Sequence, residues 1–164
     1  MTMKLLRITA LLTAGFLSSC GFSLRGAAEL PVELQTMALA SPGGTSEILR
    51  QVRRSLQASD VTILDDASLS AYTLVIGDES SRERVLSVND NARAGEYELT
   101  LSAPFQLRKG SETLVGPETL TIEKVYLADP NSAVAKREER ELMEDEMRRE
   151  LVNQLMRRLQ AVTL

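Results

Sequence analysis

Residues 97–108 alternate with period two. Tyr97, Leu99, Leu101, Ala103, Phe105 and Leu107 fall on one face, and Glu98, Thr100, Ser102, Pro104, Gln106 and Arg108 on the other. That is the pattern of an antiparallel strand with one wet face. Lys109-Gly110 closes a tight hairpin onto a return strand over 114–127. In the return strand Leu120 and Ile122 share one face while Val125 and Leu127 share the other, which predicts a bulge near Glu123-Lys124. Pro104 removes a ladder donor and predicts an edge or a bulge at its own position. Residues 71–88 form a third long strand candidate, followed by a turn-like stretch over 89–95. Upstream, residues 31–40 read as a short strand closed by Ser41-Pro42-Gly43-Gly44, and 61–64 as a brief extended piece.

Two stretches carry helical periodicity. Thr45 or Ser46 can cap a helix running to about Ala58, with Ile48, Leu49, Val52 and Leu56 on one stripe and Arg50, Arg53 and Arg54 off it. After Asp129-Pro130-Asn131 a long helix spans about Ser132 to Gln160. Met143, Met147, Leu151 and Leu155 step by four, and Val152, Met156 and Leu159 widen the stripe. Its opening, Lys136 to Glu141, contains no apolar residue and predicts a solvated face or a surface that meets a partner in a wet environment. The expected order is β-α-β-β-β-α. This describes an α+β two-layer sandwich, with two helices on one face of a mostly antiparallel four-stranded sheet and the other face left polar.

The first residues do not fit that domain. Lys4 and Arg7 precede an apolar run of about ten residues, the length of a secretory h-region and too short to cross a bilayer. Leu17-Ser18-Ser19-Cys20 then resembles a bacterial lipobox. On this reading residues 1–19 are a signal peptide that is removed. Cys20 carries N-acyl and S-diacylglycerol chains, and residues 20–164 form one domain tethered to a membrane without spanning it. Gly21 in place of an aspartate favours the outer over the inner membrane.

Composition narrows the chemistry. The chain has no histidine and one cysteine, which removes the commonest general base, the Ser-His-Asp arrangement, multi-cysteine metal sites and any intrachain disulfide. A net charge of −4 gives no blanket attraction to nucleic acid. Asp65-Asp66 and Glu144-Asp145-Glu146 read as solvated surface, and Gly43-Gly44 lacks the lysine of a phosphate-binding loop. No catalytic residue, metal site or cofactor is expected. Four cations are better candidates for a site. Arg82 and Arg84 share a strand face with Leu86 and Val88, Arg93 lies in the following turn, and Lys136 opens the long helix, where the dipole favours acids. Together they suggest a local patch for phosphorylated or carboxylated lipid headgroups.

Cys20-Gly21-Phe22-Ser23-Leu24-Arg25-Gly26 resembles the mature start of the LPS-assembly lipoprotein LptE family. The resemblance continues through Leu30-Pro31, the run from Asn91 to Leu99, Ala133-Val134-Ala135-Lys136 with Glu139, Glu146-Met147, and Leu155 to Leu159. It implies the same sandwich, seated as a plug in the LptD outer-membrane β-barrel. There it would help the barrel assemble and help insert lipopolysaccharide into the outer leaflet. It also implies lipopolysaccharide binding through basic residues. Lys136 matches the lysine of the A-x-A-K segment, and Arg93 is the candidate in a loop where Asp90 stands in place of an earlier basic residue. The alternative from a different class is a freestanding periplasmic lipoprotein that binds an amphiphile without a barrel. A carrier of that kind needs an enclosed apolar pocket of roughly 300–1,000 Å³, whereas a plug needs an extended polar surface.

Overall fold

A computed structural model describes residues 30–88, 94–127 and 132–163. A single 3-10 turn, Val32–Leu34, leads into β1 (Thr36–Ala40), so the first part of the expected strand 31–40 is not extended. Helix α1 (Glu47–Ala58) starts at Ser46, whose hydroxyl accepts the Leu49 amide at 3.3 Å, the capping geometry that Thr45 or Ser46 could have supplied. Its residues Ile48, Val52 and Leu56 step by four and are all buried.

The sheet has six strands where four were expected, with β2 (Thr62–Leu64) added and the stretch 71–88 divided into β3 (Tyr72–Ile76) and β4 (Ser80–Val88). Pro104 explains the division. It sits inside β5 (Ala94–Lys109), which is the central strand, and offers no amide to a neighbour. Opposite it the chain interrupts at residues 77–79. Gly77 donates its amide to the Pro104 carbonyl at 2.8 Å, and a Cβ at position 77 would lie 2.5 Å from the proline ring. One edge of β5 therefore pairs with β4 over residues 94–102 and with β3 over 105–109, both antiparallel. Its other edge pairs antiparallel with β6 (Glu112–Leu127). Beyond β3 lie β1 and then β2, both parallel.

The expected bulge near Glu123-Lys124 is absent. Register runs unbroken from Phe105↔Glu118 to Glu96↔Leu127, and the irregularities fall nearer the hairpin instead, at residues 116–117 and at Leu114. Gly116 has φ +83, and a Cβ there would come within 2.6 Å of the Phe105 carbonyl, so the slip occurs where glycine is required. With strict alternation restored, Leu120, Ile122, Lys124 and Tyr126 all face inwards, and Val125 and Leu127 face outwards, 56% and 67% exposed.

Helix α2 (Ala133–Gln160) is 28 residues long, roughly 42 Å at 1.5 Å per residue. Ser132 caps it through the Ala135 amide, and Arg157 and Arg158 complement the dipole in the last turn. Met147, Leu151, Val152, Leu155, Met156 and Leu159 are buried, and together with the apolar face of α1 they cover one face of the sheet. The opposite face is polar. The two-layer α+β architecture is as expected, with a larger and partly parallel sheet.

Candidate functional site

Strands β4, β5 and β6 reach past β3 to one end of the molecule, where the first turns of α2 return over the inner face. Here Glu83 pairs in register with Leu99, and Tyr97 is flanked by Val85 and Tyr126. The Tyr97 and Tyr126 rings stack at 5.5 Å with planes 24° apart. The Lys136 ammonium lies 3.7 Å from the Tyr97 ring centroid and donates to Glu83 at 2.7 Å, while the Tyr126 hydroxyl donates to the other Glu83 oxygen.

The charges here are tuned by their partners. Burial pushes the Glu83 carboxyl up, but hydrogen bonds from Lys136 and Tyr126 outweigh it and hold the group below its ordinary value. Burial likewise pulls Lys136 down, and its bond to Glu83 more than restores it. Burial and the neighbouring carboxylate push the Tyr126 phenol up. Lys136 is thus a firmly charged ammonium, still 30% exposed and oriented by an aromatic pair. Five large apolar side chains at this same end are exposed: Val85, Leu86, Val125, Leu127 and Val134. Of these, Val85 shares the inner face with Tyr97, whereas Val125 and Leu127 lie on the outer face. A firmly charged cation with apolar surface exposed at the same end of the domain is suited to an amphiphile with a phosphorylated head.

Arg82 and Arg84 do not join that cluster. They alternate with Glu83 along β4 and point to the outer face of the sheet. Arg84 makes a bidentate pair with Glu98, directly opposite in register. Among the described residues Arg82 has no carboxylate within ion-pair distance. Around them Ser80, Thr100, Ser102, Thr119, Thr121 and Glu123 line an open trough of about 490 Å³. The predicted set of four therefore separates into Lys136 on the inner side and Arg82 with Arg84 on the outer. Arg93 and Cys20 lie outside the described residues.

Sequence reasoning missed how α2 is held. Along its length it carries polar contacts to the sheet and its connections: Lys136–Glu83 at 2.7 Å, the Arg140 guanidinium donating to the Ser81 hydroxyl at 3.3 Å, Lys124–Glu146 at 2.7 Å, Arg148–Glu79 at 2.7 Å and Arg158–Glu118 at 2.6 Å. The like-charged Lys136 and Arg140 are each satisfied separately, by Glu83 and by Glu144. The apolar interior between helices and sheet, lined by Ile48, Phe105 and Leu155 among others, holds a pocket of only about 10 Å³.

Two packed helices on one face of a mixed sheet, with a polar opposite face, define a two-layer α+β domain of the kind found in several solved bacterial lipoproteins. Rare lipoprotein B from Shewanella oneidensis superposes with a TM-score of 0.68 at 30% identity, over 76% of this chain and 92% of that one. Lipoprotein B from Nitrosomonas europaea gives 0.71 at 22% identity, over 86% and 91%. The family model described as "LptE: Lipopolysaccharide-assembly" matches residues 34–159, and the chain belongs to that family. The LPS-assembly lipoprotein LptE of Pectobacterium atrosepticum is 32% identical over 94% of this chain and 82% of its own length. The protein of that name from Yersinia pestis (strain Pestoides F) is 35% identical over 96% and 74%.

Proposed function

We propose that this protein is an outer-membrane lipoprotein that plugs and helps assemble the LptD-type β-barrel through which lipopolysaccharide is inserted into the outer leaflet. Residues 1–19 are its signal peptide, and Cys20 is the acylated residue that holds it on the periplasmic side. Within this role it binds lipopolysaccharide at the Lys136 end, with the ammonium meeting a phosphate and exposed Val85, on the Tyr97 face, and Val134, in the same first turn of α2, meeting acyl chains.

The observation that carries the plug over the freestanding carrier is the distribution of space. A carrier encloses apolar volume, but among the described residues the pocket between helices and sheet holds about 10 Å³, while the open trough on the polar outer face measures about 490 Å³. The domain fills its interior with its buried apolar side chains and, apart from the exposed apolar rim at the Lys136 end, offers a wet, hydroxyl-rich trough to whatever surrounds it.

A pull-down of the mature acylated protein from detergent-solubilised outer membranes is expected to recover a large β-barrel in stoichiometric amount. Recovery of the lipoprotein alone overturns the plug. The ligand site has its own test, because Glu83 competes with any phosphate for Lys136. Lys136→Gln is expected to weaken lipopolysaccharide binding by about tenfold or more, the loss of one charge-assisted hydrogen bond. Glu83→Gln is expected to strengthen it by releasing the ammonium. Equal affinities for all three proteins remove Lys136 from the site. Lys136→Glu is a poorer probe, since it sets two carboxylates against each other.

A further inference from the structure

On the solvent side of the helices, far from the Lys136 end, α1 and α2 leave an open cleft of about 350 Å³ lined by Gln51, Arg54, Ser55, Arg149, Val152 and Asn153. Two guanidinium groups border it, and no acid does. Arg54 has a loose contact of 3.6 Å to Glu47, a carboxylate already engaged by Arg50. Arg149 has no carboxylate within ion-pair distance among the described residues, and neither has Arg157. The spacing extends the pattern beyond the cleft. Arg50 and Arg54 lie one turn apart on α1, while Arg149, Asn153 and Arg157 step by four along α2.

This arrangement opposes the charge of the chain as a whole, which has 19 basic against 23 acidic residues. Carboxylates crowd the first half of α2 at Glu138, Glu139, Glu141, Glu144, Asp145 and Glu146, yet none faces the cleft. Like-charged side chains across a cleft repel one another unless an anion lies between them. The uncharged neighbours Gln51, Ser55 and Asn153 add hydrogen-bond donors suited to phosphate oxygens.

We propose that the α1–α2 cleft and its flanking arginines form a docking surface for the phosphate headgroups of an anionic phospholipid bilayer. The cleft is open, and its cations continue beyond it along both helices, at Arg50 and Arg54 on α1 and at Arg149 and Arg157 on α2, which matches an extended array of negative charge better than a single enclosed anion. The one apolar residue lining it, Val152, is buried, so there is no exposed apolar anchor of the kind that protein partners use. Clustered cations of this number each contribute about 1 kcal/mol at an anionic lipid surface. The inference stands apart from the barrel reading and needs neither the barrel nor the acyl anchor.

The test uses the mature chain carrying Cys20→Ser, so that no acyl chain contributes, with phosphatidylcholine vesicles made with and without phosphatidylglycerol. Co-sedimentation is expected only with phosphatidylglycerol present and is expected to fall steeply as salt is raised. Arg54→Gln with Arg149→Gln is expected to weaken it about thirtyfold, roughly fivefold for each cation. Arg82→Gln, on the opposite side of the sheet, is expected to leave it unchanged. Both sets of replacements are at the surface, and circular dichroism checks the fold. Should the double variant lose its fold, the salt dependence of the unaltered site decides alone. Absence of vesicle binding overturns the proposal, as does binding that ignores the double substitution. Binding of glycerol phosphate without vesicles, or retention of an acidic protein through the same arginines without vesicle affinity, overturns the assignment to a bilayer.

Discussion

Arg148→Ala is expected to lower the unfolding free energy by about 3–5 kcal/mol, the range for breaking one side of a buried ion pair. Arg148 is 7% exposed, the only charged residue among those fully buried in the described structure. Its guanidinium holds both oxygens of Glu79 at 2.7 Å and reaches Asp145 at 2.6 Å. Glu79 belongs to the short interruption between β3 and β4 that Pro104 imposes, so the fork ties the weakest point of the sheet to α2. Alanine would leave the Glu79 carboxylate half-enclosed without its partner. Lysine retains the charge and loses the fork, so Arg148→Lys is expected to fall between. Arg148→Met combined with Glu79→Gln removes both charges and is expected to recover most of the loss. Urea denaturation measures all four proteins, and a cost below about 1 kcal/mol for Arg148→Ala would show that the pair is not structural.

The sequence made the layers legible and hid what lies between them. Strict alternation from Tyr97 to Leu107 predicted the inner face of β5, and every one of those six residues is buried. The step of four from Met147 to Leu155 likewise predicted the face of α2 that meets the sheet. Both are periodic apolar signals, and burial follows from them directly. Lys124 shows the opposite case. It occupies an inward position between Ile122 and Tyr126, and read as polar it suggested that the strand changes face. In the fold it stays inward because Glu146 and Glu150 on α2 meet it at 2.7 and 3.4 Å. No local pattern marks a charge that is matched by a residue more than twenty positions away. The same holds for Glu79 with Arg148 and for Glu83 with Lys136. The candidate cations were visible as residues out of place, but their division between two faces depended on register, and register depended on Gly116 and Pro104.

Leu151→Ala should cost about 2–5 kcal/mol, whereas Leu142→Ala, on the same helix, should stay within about 0.5 kcal/mol of the unaltered protein. Leu151 is 1% exposed and packs into the core shared by α1 and the sheet, beside a pocket of only about 10 Å³. Leu142 is 72% exposed. The contrast reflects how α2 is built: from Met147 onwards it buries an apolar stripe, with the Arg148–Glu79 and Arg158–Glu118 pairs beside it. Its first turns bury no large apolar side chain and are held to the sheet by polar contacts such as Lys136–Glu83, whose partners remain partly wet. Apolar burial is insensitive to salt, and exposed pairs are screened by it. Raising salt should therefore leave the Leu151→Ala deficit unchanged, while amides of residues 137–143 exchange faster relative to those of 150–156. A uniform response along the helix would contradict this division. The division also has a functional consequence. The half of α2 that ends at Lys136 is not committed to the domain's own core, so its surface and the exposed apolar rim beside it are left for a ligand or a surrounding wall. The half that bears Leu151 supplies the rigid base on which that end is positioned.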